Sequence, residues 1–527
     1  MTPSQPQKSR EIAPGPFGVW LERAIVAALF LFAFAAPISI AGAQIAWGLG
    51  ILFWLLRLAV WPRPKIYRTP VDYALLGFFI LSGISSVVSY EPLTSIPKLR
   101  AATLFTIVYL FAESVRSIRV VRALVIVLIG AAVVSALFTF GQAAIGRGIK
   151  VQDLRPDSPL KAARFAPERF KNEPTPILSG DTIEEIDGHR ISSPEQLVAA
   201  LDRPATDKPA QIKIYRVEWN PTLQLPRGGL LPGATAEERL GIGSWTRGRE
   251  RRATGFFSHW TTYGESLQLL ASLVLGLLVA LPRKRNKWGL VLTLVLAALC
   301  AALLLTIVRA SWLSFLISAT LIALLGLRWR ALLVVGLCAL PLVFAGLFLL
   351  QQRRNVGFFD PKDDSITWRQ TVQREGVRLL FSSPRHLVFG VGIDSVKAHW
   401  REWNLFDQGR RPKGHMHSDY LQIGLERGLP TLIAWLVLMG LYARMLWHLQ
   451  RRLSKESWIE RGLALGALGG LIGFMTSGIV HYNWGDSEVV MIFYMIMGLS
   501  LALYRETEFA ALPPDVRTAS GLPSKIQ

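Results

Sequence analysis

The chain is expected to fold as an all-α polytopic membrane protein of about 12 transmembrane helices, with a small α+β periplasmic insert. Three observations predict this. Of its 527 residues 51% are hydrophobic and only 18% charged, and the mean hydropathy is +0.34. A soluble chain of this length needs more polar surface. Apolar runs of about 18–22 residues, long enough to cross the hydrocarbon core, recur along the chain. Basic residues collect after every second run, as cytoplasmic loops require.

The spans read as 18–38, 42–60, 71–89, 101–117, 120–144, 264–282, 288–307, 311–327, 331–350, 429–449, 462–481 and 487–504. Glu113 and Arg116 intrude on the fourth. The charge pattern keeps it: Arg57, Arg63, Lys65 and Arg68 follow the second span, and Arg116, Arg119 and Arg122 the fourth. Arg283, Lys284, Arg285 and Lys287 follow the sixth, Arg328 and Arg330 the eighth, and Arg451, Arg452 and Lys455 the tenth. Both termini are therefore expected in the cytoplasm. The polar segments 146–262 and 351–428 fall outside, and long translocated segments escape the charge rule.

The expected organisation is spans 1–5 in 1–145, an insert in 146–250, spans 6–9 in 251–350, an outer loop in 351–428, spans 10–12 in 429–505 and a tail in 506–527. The net charge of +21 would suit nucleic acid, but many of the basic residues flank apolar spans, so no nucleic-acid partner is expected. Cys300 and Cys338 lie inside apolar runs and support neither a disulfide nor a thiolate metal site. The first 16 residues are polar and Pro-rich, without the pattern of a cleavable signal.

Within the insert, alternation predicts a strand over Thr182–Ile186, a turn at Asp187-Gly188 and a second strand over Gln211–Arg216. Ser193, Pro194 and Gln196 predict the start of a helix, with Ser193 as its cap. Asp157–Ala163 reads as an earlier helix. Together these resemble the PDZ domains of bacterial envelope proteins, with a longer basic loop over 164–177 and no convincing carboxylate-binding loop. The resemblance implies a protein partner bound by strand addition; the blander reading is a spacer or docking lid.

Four short segments of the second half carry the chemistry: Arg251-Arg252-Ala253-Thr254-Gly255-Phe256 with His259-Trp260, Thr306-Ile307-Val308-Arg309, Ile366-Thr367-Trp368-Arg369 followed by Phe389-Gly390-Val391-Gly392, and Gly414–Gly428 with His415, His417, Ser418 and Glu426. In order, spacing and membrane side they resemble the O-antigen ligase and O-antigen polymerase superfamily, most of all the ligase. Val308 stands where Ser or Thr often precedes the arginine, and His259-Trp260 replaces a common Asn-Pro.

Arg309 sits at a membrane boundary, where it can reach a lipid headgroup or merely snorkel. Arg369 opens a helix expected over Thr367–Phe381, whose Trp368, Val372 and Leu379 would lie flat on the membrane. Two guanidinium groups suit a diphosphate. His417 precedes a helix start at Ser418-Asp419, where the dipole disfavours imidazolium and leaves a neutral base; a structural cap is the alternative. Arg252, His259, Trp368, Arg385, His415, Asp419, Tyr420 and Glu426 complete the expected substrate-binding set, with Glu426 first expected to tie its helix to an arginine. The outer loop His481–Asp486 could line the same cavity.

No metal site, P-loop or nucleotide-sugar motif is expected, and no cofactor. The resemblance implies glycosyl transfer at the periplasmic face of a Gram-negative inner membrane. The donor would be an undecaprenyl-diphosphate-linked glycan and the acceptor a sugar hydroxyl of lipid A–core. His417 would be the base and Arg309 and Arg369 the diphosphate clamp, with inversion at the anomeric carbon. An O-antigen polymerase and a protein O-oligosaccharyltransferase are the related alternatives. A transporter is the alternative of another class, disfavoured because the two halves are unlike.

Overall fold

The computed structural model describes residues 15–511 apart from 166–174, 204–207, 217–219, 250, 284–285, 353–363 and most of 329–350. Most of the ninth expected span, the basic residues Lys284, Arg285 and Arg330, most of the 164–177 loop and most of the tail lie outside those residues. Among the described residues, ten helices are long and apolar enough to cross a membrane. The third expected span is an apolar helix of 16 residues, Asp72–Val87. The molecule is a multi-pass membrane protein.

The chain divides into two compact units. One comprises Met1–Ala136, Thr254–Leu347 and Gly357–Gln527; the other comprises Leu137–Ala253 and Phe348–Val356.

In the larger unit, the expected fourth span begins earlier and is broken. It runs as a helix Pro92–Lys98, a 3-10 turn Leu99–Phe105 and a helix Thr106–Ser114. Pro97 removes a donor within the first helix, which favours the tighter winding that follows. Glu113, which weakened this span on paper, is buried and accepts the Tyr67 backbone N–H at 3.2 Å. Arg505 donates to the carbonyls of Ala112 and Val115, capping the same end at 2.6 Å each.

Close helix contacts hold the centre. A Cβ on Gly276 would lie 2.4 Å from the Gly466 nitrogen, and one on Gly466 2.6 Å from the Leu273 Cα. The helices Trp260–Ala280 and Trp458–Ser477 thus touch through backbone, as small residues permit where lipid supplies no hydrophobic drive. Ser272 of the first bonds Ser318 of Arg309–Gly326 at 2.7 Å, tying in a third helix.

The polar segment ahead of Leu429, expected as an outer loop, has its own core. Helix Asp364–Leu380 buries Val372, Leu379 and Leu380 against Val391, Val396, Leu405, Phe406, Met416 and Leu425, with Trp368 packed on them. This corrects the expectation that the helix lies flat on a membrane. Its apolar stripe is consumed inside the loop. The Gly390-Val391-Gly392 segment follows a short helix, Pro384–Phe389. Gly390 and Gly392 hold φ of +73° and +100°, and a Cβ on Gly392 would fall 1.7 Å from Ser89 Oγ. Ser89 also bonds Ser395 at 3.0 Å, and Ser85 donates to the Glu426 carbonyl at 2.9 Å. The short Asp72–Val87 helix and the turn after it therefore brace this loop.

The smaller unit carries one antiparallel sheet of seven strands: β1 (Ile149–Leu154), β2 (Arg164–Phe165), β3 (Thr182–Ile186), β4 (His189–Arg190), β5 (Ala210–Tyr215), β6 (Thr222–Leu225) and β7 (Ile242–Arg247). The order is β2-β6-β5-β3-β1-β7, with β4 paired to β3. The expected strands, the Asp187-Gly188 turn and a helix beginning at Pro194 are all present. Ser193 occupies the cap position without a side-chain cap bond, and Gln196 instead accepts from the Ser192 N–H at 2.7 Å. The earlier helix is a single 3-10 turn, Pro159–Ala162. Strands β1, β2, β4, β6 and β7 were not expected. Side chains of β1, β6 and β7, among them Ile149, Val151, Leu223 and Ile242, complete a core with Ile183, Ile212 and Leu197.

Gly392→Val is predicted to lower the thermal midpoint of the detergent-solubilised protein, because the branched residue meets both Ser89 and a disfavoured φ. The loss should exceed about 1 kcal/mol. Gly77→Ala, at an open helical position, should not lower the midpoint in the same melt.

Candidate active site

The segment Gly414–Ser418 is fixed from several sides. Asp419–Arg427 forms a helix capped by Ser418, whose hydroxyl accepts the Leu421 N–H at 3.4 Å. The Asp419 N–H donates to Gly478 at 2.7 Å, and its carboxylate accepts the Trp484 N–H at 2.9 Å. The start of this helix is thereby anchored to the end of the Trp458–Ser477 helix and to the loop beyond it. His417 stands just before the cap, with φ of +50°, a conformation uncommon for a residue bearing Cβ. Gln373 of the Asp364–Leu380 helix holds its carbonyl at 3.0 Å.

Around that backbone the imidazoles and one guanidinium converge. The His415 and His417 rings lie 4.3 Å apart, and the Trp368 ring meets His417 edge-on at 4.5 Å. The Trp368 indole N–H is buried without an acceptor among the described residues. Burial pushes His417 down to about 2, reinforced by His415, Arg369, His481 and His259 in that order. Burial likewise pushes His415 down to about 4, with His481, Lys397, Arg369 and His259 adding to it. Both rings are therefore neutral at physiological pH, in a field made positive by Arg369 and Lys397. Such a site favours an anion.

Beneath it lies a carboxylate that sequence reading missed. Glu265, in the second turn of the Trp260–Ala280 helix, is 1% exposed. It accepts Ser311 Oγ at 3.1 Å, His481 Nδ1 at 2.7 Å, Asn483 Nδ2 at 3.4 Å and the Ser477 hydroxyl. Ser311 is in the first turn of the helix that Arg309 opens, so Arg309 stands at the same end of the bundle. Asp486 accepts Thr262 Oγ1 at 2.6 Å and is pushed up to about 7 by burial, with Glu488 and Glu265 adding to it. Among the described residues no group of three or more His, Cys, Asp or Glu could hold a metal ion.

Residues 292–436 match the family model described as O-antigen ligase. The match supports the O-antigen ligase superfamily for this chain. No curated protein matches it. The matched stretch includes Arg309, Trp368, Arg369, Arg385, His415, His417, Asp419, Tyr420 and Glu426, and leaves Arg252 and His259 outside.

The structure sorts the expected residues. It brings together His417, His415, Arg369 and Trp368, with His259 close enough to act on both imidazoles. His259 also accepts the Thr261 N–H at 3.2 Å as the cap of its helix. Four others are engaged in the framework. Asp419 holds Trp484, and Tyr420 donates to the Met475 carbonyl at 2.9 Å. Glu426 accepts the Asp394 N–H at 2.7 Å, a backbone amide beside Gly392, and also feels the positive charge of Arg427. The Arg385 guanidinium stacks 3.9 Å over Tyr90 and donates to the Val88 carbonyl. Arg252 belongs to the smaller unit, where its N–H donates to Tyr215 at 3.3 Å. The one signal for Glu265 was an acid inside an apolar span, which marks a functional position by default.

The two depressed histidines set a direction for stability. In the unfolded chain each takes a proton near pH 6.5, whereas in the folded protein neither does until far lower. The unfolded state therefore binds more protons as pH falls below 6.5, and stability drops through that window. Hydrogen exchange across 414–428 is predicted to speed between pH 7 and 5, after correction for intrinsic exchange rates. His417→Gln should flatten that response.

Proposed function

We propose that the chain transfers a glycan from undecaprenyl diphosphate to a sugar hydroxyl of lipid A–core, on the periplasmic side of a Gram-negative inner membrane. The observation that carries this reading is the convergence of two neutral imidazoles, Arg369 and a buried indole donor at one end of the bundle, inside the stretch that matches the O-antigen ligase family. The alternating basic loops favour placing that end outside and both termini in the cytoplasm.

In this mechanism Arg369 and Arg309 hold the diphosphate, each by planar paired donation. Negative charge grows on the leaving oxygen as the anomeric bond breaks, and fixed guanidinium groups stabilise it there without reorganising. Trp368 offers its N–H and its ring face to the glycan. His417 takes the acceptor's hydroxyl proton while that oxygen attacks the anomeric carbon opposite the diphosphate, inverting it. Bound diphosphate offsets the positive field around His417 and so raises its basicity when a base is needed. The donor arrives already activated, so the residues need no cofactor. O-antigen polymerisation and protein O-glycosylation share the donor and differ in acceptor. The PDZ-like insert would serve as a docking or spacer module for a protein partner.

The test is transfer by purified full-length protein in nanodiscs, with defined lipid-linked donor and lipid A–core. Lipid-linked glycan or protein as alternative acceptors separate the two related readings. Activity with lipid A–core alone supports the ligase; no transfer to any of the three acceptors would falsify the proposal. Arg369→Ala is predicted to lower kcat by about 10²-fold or more, with Arg369→Lys intermediate, because a point charge keeps attraction but loses the fork. His417→Ala should cost about 10²–10⁴-fold in kcat. Wild-type turnover in that variant removes it from the mechanism.

A further inference from the structure

His417 is placed to receive a proton but not to keep it. Its neighbours are His415, Arg369, His481 and His259, all neutral or cationic. Once the diphosphate departs, an imidazolium there faces positive charge with no carboxylate against it among these. A second group must relieve it before the next turnover. The structure contains one imidazole in this cluster that is built differently.

His481 lies on the loop after the Trp458–Ser477 helix and is 5% exposed. Its Nδ1 meets Glu265 Oε1 at 2.7 Å. That bond assigns the neutral ring's proton to Nδ1 and leaves the acceptor lone pair on Nε2. Glu265 is in turn held by Ser311, Ser477 and Asn483, so three other donors fix a carboxylate behind the ring. A carboxylate that orients an imidazole also stabilises its protonated form. Gln373 joins the two loops, donating to the His417 carbonyl at 3.0 Å and to the Ile479 carbonyl at 3.4 Å, and the Asp419 N–H donates to Gly478 at 2.7 Å. A charge on His481 accordingly weakens proton binding at both His415 and His417.

Resting on the proposed transfer reaction, we infer that His481, held by Glu265, is the proton store of this site. The acceptor's O–H bond breaks as its oxygen joins the anomeric carbon, and the bond from that carbon to the diphosphate oxygen breaks with its electron pair. The proton passes to His417 and from there to Nε2 of His481. The resulting imidazolium is paired with Glu265 until water or the departing diphosphate removes the proton. His481 thus acts through His417, as a positioning residue for charge.

The charged and titratable groups around this pair are Glu265 and His259 from the Trp260–Ala280 helix, and His415 and His417 from the loop before Asp419. Arg369 and Lys397 add positive charge on the side of the two loop histidines, and Asp419 and Asp486 each feel the negative charge of Glu265. Among these, Glu265 is the carboxylate that bonds the ring.

The experiment is a pH profile of kcat and donor KM from pH 5 to 9, in nanodiscs with donor and lipid A–core. The wild type should lose kcat as pH falls, because protonated His481 cannot accept. His481→Gln should lower kcat by about 10²-fold with donor KM within about twofold, and should lose that acidic limb. Glu265→Gln removes the charge behind the ring, so the limb should move to lower pH. His481→Ala should regain turnover with added imidazole, which a merely structural defect would not. If Glu265→Gln does not fold, the His481→Gln profile decides. A wild-type profile in His481→Gln, or an unmoved limb in folded Glu265→Gln, overturns the proton store while transfer stands. Wild-type protein that transfers to none of the acceptors overturns the reaction and the store together.

Discussion

Glu265 is a carboxylate inside a membrane-spanning helix, almost wholly out of water, and the arrangement around it follows from the need to satisfy it. An isolated charge in that setting is costly, so donors must be built to meet it. They come from Ser311 on one helix, Ser477 at the end of another, and His481 and Asn483 on the loop that follows. These contacts tie the start of the Arg309 helix to the loop that follows Ser477. The backbone contact between Gly276 and Gly466 makes this possible, because it brings the two helices close enough for Glu265 to reach Ser477.

The outer loop is held by a second, independent set of bonds. Glu426 spends its carboxylate on the Asp394 amide, and its carbonyl accepts from both Ser85 and Gly392. Gly390 and Gly392 pass so near other backbone and side chains that any Cβ would collide. Helix Asp364–Leu380 can then carry Trp368 and Arg369 at its first turns while its apolar face packs inward. A rigid loop core of this kind is what holds a guanidinium and an imidazole in one geometry without a substrate present.

The two histidines show how position decides chemistry. His415 and His417 are alike in type and two residues apart, yet burial among cations holds both neutral. His481 has a carboxylate behind it. One cluster therefore contains imidazoles suited to different roles, distinguished by their neighbours and not by their own structure.

Much of this protein was legible in the order of its residues. Hydrophobic runs determine the extent of most spans, because the bilayer imposes a length. The motifs at Trp368-Arg369 and around His417 marked segments that the fold brings into one cluster. Alternation and turn residues located the Thr182–Ile186 strand and the Pro194 helix. Tertiary structure alone decided the rest. Periodicity shows that the Asp364–Leu380 helix has an apolar face but not whether lipid or protein covers it. A glycine's collision with Ser89, or Glu426 bonding the Asp394 amide, depends on segments far apart in the chain. The union of Glu265 with His481 spans 216 residues, and no local pattern encodes a contact that exists only once two helices have met.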